Sequence, residues 1–158
     1  MNSRLAHKKQ RKDLVLYFQV HQPHRLRKLR FFDVGAGKGY FDDDLNRDII
    51  QRIAANCYLP ANALLLDLIR KHPGIRIAFS ISGSTIDQLE EFAPEVLDSF
   101  RSLAKTGAVD FLTETYYHSL ACMIPGNEFE FQIAKHLKKV LAHFGFLSKV
   151  FRNTDLIK

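Results

Sequence analysis

Imidazoles, carboxylates and tyrosines fall in this sequence at the ends of apolar runs. His21, Gln22, Pro23 and His24 follow the run 14–20, and Ser82, Gly83 and Ser84 follow the run 75–81. Glu114, Tyr116, Tyr117 and His118 follow 108–113, and Asn153, Thr154 and Asp155 follow 149–152. Such side chains suit sugars, because ring faces pack on C–H surfaces while carboxylates, amides and imidazoles take the hydroxyls. Retaining cleavage of a glycosidic bond needs two carboxyl groups about 5 Å apart, one as nucleophile and one as acid/base. Glu114 and Asp155 are the carboxylates to consider. Other readings stay open. Glu114 could pair with an arginine or cap a turn, His118 could be structural, and His24 could be a solvated loop residue. A metal site on His21, His24 and His118 has no strong ligand spacing behind it. The glycines 35, 37 and 39 precede Tyr40 rather than a helix that follows a strand, so they read as loop flexibility and not as a phosphate cradle.

The elements that must position these groups follow from periodicity. Residues 14–20 are apolar, β-branched and aromatic, which predicts a strand buried on both faces, as in a parallel sheet. Residues 75–82 and 108–113 predict the second and third strands, and 149–152 the start of a fourth. Leu45, Ile49, Ile50, Ile53 and Ala54 predict a helix over 45–57, and Pro60 opens another to 71. Ser84 or Thr85 is placed to cap a short helix to Phe92, with Thr85 and Gln88 at capping-box spacing. Pro94 starts a further helix. Asn127 precedes a helix over 128–144, whose apolar stripe reads as Ile133, Leu137, Val140, Leu141 and Phe144 and which stops at Gly145. Residues 24–44 are left as a long connection, and connections of that length are usually functional. Strands alternating with helices predict an α/β fold of three to four parallel strands with right-handed crossovers. In such folds the C-terminal strand ends share one rim, and that rim carries the site.

Length and composition narrow the function classes. The chain has 158 residues, enough for one domain, with 46% hydrophobic and 25% charged residues, a globular mix. Its net charge of +6 is local: residues 1–30 hold nine bases and one acid, and the remainder holds 14 bases and 16 acids. A nucleic-acid partner is therefore not expected, and residues 1–12 read as a basic flexible tail. No apolar run reaches the roughly 20 residues of a membrane span, and no secretory leader is visible, so neither a membrane nor export is expected. Cys57 and Cys122 make no zinc or redox pair and are expected to be buried free thiols in a reducing cytoplasm.

Several stretches together are similar to glycoside hydrolase family 57, in its α-amylase-like branch. They are residues 17–27 (Tyr-Phe-Gln-Val-His-Gln-Pro-His-Arg-Leu-Arg), Phe31-Phe32-Asp33 with 40–43, 79–84 (Phe-Ser-Ile-Ser-Gly-Ser), 110–120 and 149–157. The resemblance runs over residues 13–158. It implies part of a (β/α)7-type barrel, a retaining mechanism, α-glucan or maltooligosaccharide substrates and no cofactor. Carried over by position, His21 would touch the sugar at the cleavage subsite, Glu114 and His118 would line it, and Asp155 would stand at the nucleophile position; Tyr116 and Asn153 are further candidate sugar-binding residues at the strand ends. The family has Glu where this chain has Asp155, and Asp110 replaces another Glu. A carboxylate set back by about 1 Å can cost on the order of 100-fold in rate. The family's acid/base aspartate belongs to a later strand, outside these residues. The expectation is a chain with little or no turnover of its own, whose barrel a second chain or self-association completes. The alternative is a non-catalytic carbohydrate-binding or regulatory remnant.

Overall fold

The fold is described from a computed structural model, over residues 14–33, 35, 37, 39–146 and 148–154. Residues 1–12 and Asp155 lie outside the described residues. Three strands, β1 (Leu16–Val20), β2 (Ile77–Ile81) and β3 (Val109–Leu112), form one parallel sheet in the order β1-β2-β3. The register pairs Phe18 with Phe79 and Phe79 with Phe111, so one face carries a row of aromatic rings. Thr113 bridges Phe151 in the parallel sense, with Thr113 N–H donating to Val150 O and Arg152 N–H to Thr113 O. That single bridge marks the place of the fourth strand expected at 149–152.

Helices fill each crossover. α1 (Asp43–Ile53) starts where the Asp42 side chain accepts from Leu45 N–H, with Asp43 and Asp44 in its first turn, where the helix dipole favours negative charge. It does not end before Pro60 as expected. A π-helical turn (Ala54–Tyr58) runs straight into α2 (Leu59–Lys71). Pro60 has no N–H to place, and Leu59 N–H reaches back to Ala54 O, so the helix shifts register instead of breaking. α3 (Gly83–Phe92) and α4 (Pro94–Ala104) connect β2 to β3, and α5 (Glu128–Phe144) follows β3, closing at Gly145 with φ 79°. The core lies where these helices meet the sheet. Phe100 of α4 stands edge-on to Phe79 and Phe111, and Phe111 stacks on Phe144 at 3.9 Å.

Four sequence expectations change. β1 is not buried on both faces: Tyr17 and Phe18 are partly exposed, because β1 is an edge strand with β2 as its one neighbour in the sheet. The buried stripe of α5 is Gln132, His136, Val140 and Phe144, while Leu141 is exposed, so the stripe is turned toward two polar residues that bond to the end of β2 and to the segment after β3. Thr85 and Gln88 form no capping box. The helix begins at Gly83, and these side chains bind the backbone of Gln22 instead, Thr85 Oγ1 accepting its N–H at 2.7 Å and Gln88 Nε2 donating to its carbonyl at 2.7 Å. Cys57 is exposed on the π-helical turn and Cys122 is half-buried, both as free thiols. No helix among the described residues is long and apolar enough to cross a membrane.

Candidate active site

Three strand ends deliver the site. His21 leaves β1 and Ser82 leaves β2, and His21 Nδ1 lies 2.7 Å from Ser82 Oγ. Glu114 and His118 come from the segment after β3. Glu114 is fully buried, and its Oε2 lies 3.0 Å from His118 Nδ1. With the Nδ1 proton donated to Glu114, His118 Nε2 faces Gln19 Nε2 at 2.8 Å. The His21 and His118 rings lie 4.5 Å apart, tilted by 32°. His118 has φ 52°, a left-handed conformation uncommon outside glycine. The turn is held by His118 N–H donating to Thr115 O and by Ser119 N–H donating to Thr115 Oγ1. Glu114 Oε1 is buried with no hydrogen-bond partner among the described residues.

His136, which sequence reasoning missed, supports this array from behind. It is fully buried on α5, bonds Ile81 O through Nε2 at 2.8 Å and accepts the Glu114 N–H at 3.4 Å. Burial lowers its pKa below the usual histidine value, against a smaller raising effect from the Ile81 bond and the nearby Glu114. A neutral Nε2–H imidazole therefore ties the end of β2 to Glu114. Its i, i+4 relation to Gln132 and Val140 was the signal available in the sequence.

Tyr116 does not offer its ring to the open rim. It is 3% exposed and packs on Gly83, where a Cβ would come within 2.4 Å of the ring. Its hydroxyl donates to the Asp87 carboxylate, at 2.7 Å to Oδ2 and 2.8 Å to Oδ1. Burial first, and Asp87 second, push this phenol well above the usual tyrosine range, so it stays protonated and donates. Lys139 pairs with Asp87 at 2.9 Å and also with Glu90. Tyr117 is the half-exposed ring of this pair, and its hydroxyl accepts from Lys135 at 2.6 Å. Asn153, after the fourth-strand position, accepts from Thr154 N–H, and Thr154 Oγ1 bonds Thr115 Oγ1 at 3.1 Å. The nucleophile position assigned to Asp155 lies outside the described residues.

Beside this array a cleft of about 460 Å³ opens between His21, His24, Phe41, Ser84, Asp87 and Tyr117. It offers ring faces on its walls and hydroxyl, imidazole and carboxylate groups among them. Among the described residues no three His, Cys, Asp or Glu side chains are grouped to hold a metal ion, and His24 packs on Phe41 at 4.8 Å.

Imidazole, carboxylate and aromatic groups are thus gathered at the C-terminal rim of a parallel α/β sheet, where folds of this class carry their sites. The comparisons make the class specific. The profile of Glycosyl hydrolase family 57 matches residues 15–158, and the chain belongs to that family. A Methanocaldococcus jannaschii protein named "Putative alpha-amylase" is 42% identical over 146 residues, covering 91% of this chain and 31% of that protein. The Pyrococcus furiosus "Alpha-amylase" is 29% identical over 77 residues, covering 49% of this chain and 11% of that one. In structure, the 4-alpha-glucanotransferase of Thermococcus litoralis matches with a TM-score of 0.59 at 20% identity, over 85% of this chain and 18% of that one. The family 57-type branching enzyme of Pyrococcus horikoshii matches with a TM-score of 0.55 at 17% identity, over 89% and 34%. The chain thus spans about a third or less of these relatives, and its three strands and helices correspond to part of their barrel.

Proposed function

We propose that this chain forms the glucan-holding part of a retaining α-glucan-active site, of the hydrolase or transferase kind that its relatives' names describe. The observation behind this reading is the convergence of His21, Ser82, Glu114 and His118 from three separate strand ends beside a cleft of sugar size. His21, His118 and Asn153 take sugar hydroxyls at the cleavage subsite, and Asp155 stands at the nucleophile position. Glu114 sets the tautomer of His118 and keeps one buried oxygen for a hydroxyl donor. Tyr116 acts from behind, fixing Asp87, while Tyr117 supplies the exposed ring.

The 158 residues alone hold sugar without turning it over. Asp155 is a methylene shorter than the family's Glu, and the acid/base group lies on a later strand; a positioned proton donor contributes about 10²–10⁴-fold. The non-catalytic carbohydrate-binding reading is favoured by the same substitution. Further barrel elements, from this or another chain, cover the edge of β1 and the apolar groove of about 280 Å³ between Phe18, Leu64, Leu65 and Phe79. The free thiols fit a reducing, cytoplasmic setting. Titration with maltooligosaccharides, together with release of reducing ends, tests the reading. Saturable binding without turnover is the expected result. Turnover near that of an intact relative removes the inactivity claim, and no binding at millimolar sugar removes the site.

A further inference from the structure

The connection that leaves β1 is a built arm, and it continues the cleft outward. Its legs pair through an antiparallel bridge between Leu26 and Phe41, through Arg27 N–H donating to Tyr40 O, and through Asp42 N–H donating to Arg25 O, both at 2.9 Å. Arg27 Nε adds a bond to Phe41 O at 2.7 Å. At the foot, buried Asn46 of α1 accepts the Arg25 N–H at 2.9 Å. The legs start in the cleft wall, where His24 and Phe41 pack together. Beyond the paired legs a single 3-10 turn (Phe31–Asp33) carries two neighbouring phenylalanines, set edge to face at 5.4 Å.

Phe31 is 86% exposed and Phe32 89%. Rings that open to water contribute little to the fold, whereas an aromatic face in water favours a partner with an apolar face of its own. Tyr40 and Phe41, on the leg that starts at the cleft wall, are also half-exposed. Two of the arm's cations are used within the arm itself. Arg25 donates to Pro23 O and Gln22 Oε1, and Arg27 donates to Phe41 O, so both guanidinium groups are engaged in holding the arm together.

We infer that Phe31, Phe32, Tyr40 and Phe41 form an aromatic platform for an α-glucan chain leaving the cleft, so that the protein selects polymeric glucan over short oligosaccharides. The inference rests on the glucan reading of the cleft and extends it to chain length. A maltotriose fills the cleft alone, while a longer chain also lays the C–H faces of its outer sugars on the rings.

The test compares the 158-residue chain with its F31A/F32A variant in binding to maltotriose and to glycogen. Both side chains lie in water, so an unchanged melting temperature verifies the fold. The expected result is glycogen affinity at least about tenfold weaker in the variant, with maltotriose affinity unchanged within about twofold. F31W/F32W keeps the glycogen affinity, because the flat ring is what the sugar uses. Equal glycogen affinity in the wild type and F31A/F32A overturns the inference while the cleft reading stands. Failure of the wild type to bind maltotriose overturns the cleft reading and the inference with it. Salt-sensitive binding to anionic phosphatidylglycerol vesicles that F31A/F32A abolishes, with glycogen affinity intact, assigns the arm to a lipid surface instead and also overturns it.

Discussion

β1 and β2 are similar apolar strands, paired in register and ending at the same rim, yet the molecule treats them differently. Phe18 and Phe79 are register partners with rings stacked at 5.3 Å, but Phe79 is 4% exposed and Phe18 39%. Their exits differ more. β2 turns at Ser82 directly into α3, and Ser82, Gly83, Ser84, Thr85 and Gln88 are all buried. β1 leads into the long arm, whose aromatic residues stay open. The lesson is that neighbours rather than composition decide rigidity. β2 has a strand on each side and helices on its face, so its exit is fixed and can hold His21 in place. β1 has one strand neighbour, and its exit is held by separate bonds that Thr85, Gln88 and Asn46 make to its backbone.

The largest expected contrast is in stability. Phe79→Ala leaves a cavity among Phe18, Phe100 and Phe111 and should cost about 3–5 kcal/mol, while Phe18→Ala on the open strand should cost about 1 kcal/mol. Equal urea midpoints for the two variants would show that β1 is covered in solution, as further barrel elements or self-association would cover it. Next is the tight exit. Gly83→Ala drives a Cβ into the Tyr116 ring and is expected to cost about 1–3 kcal/mol, lowering the melting temperature by several degrees and weakening sugar binding.

A pH titration sharpens the same contrast. Burial lowers the pKa of His136, and of His143 two turns further along α5, below the usual histidine value. The folded state therefore keeps both neutral where the unfolded chain takes up protons. This stability is fully present above about pH 6.5 and is lost as the pH falls from there toward the folded pKa values. Urea midpoints should fall from pH 7 to pH 5 in the wild type and fall less in His136→Gln, which keeps a side-chain donor for Ile81 O. An unchanged slope in that variant would leave His143 and other groups as the source. The smallest effect belongs to the arm: F31A/F32A should shift stability by no more than about 0.5 kcal/mol, read by calorimetry, despite removing two large side chains.

Much of the fold was legible because it depends on local chemistry. Pro94 and Gly145 mark helix ends through backbone rules, and the β-branched runs mark strands through steric preference, whereas the aspartates that start α1 read in the sequence as part of the preceding connection. The family resemblance was legible for the same reason, since its stretches are the strand ends themselves. What was not legible depended on who lies next to whom. Thr85 and Gln88 fit a capping box by spacing, but the Gln22 backbone reached them first. Tyr116 and Tyr117 are adjacent and alike in sequence. One became a buried prop because Gly83 leaves room for its ring, and the other became the exposed wall of the cleft.

The order of the amino acids by itself determined the parallel α/β class, the positions of most elements and the four clusters that could touch a sugar. These follow from dihedral preferences and from the periodicity of apolar side chains, which act over a few residues. Only the tertiary structure decided that β1 lies at an edge, that His136 stands behind Glu114, and that His21 meets both Ser82 and His118. Those outcomes depend on contacts between segments far apart in the chain, where burial sets what each polar group must find as a partner.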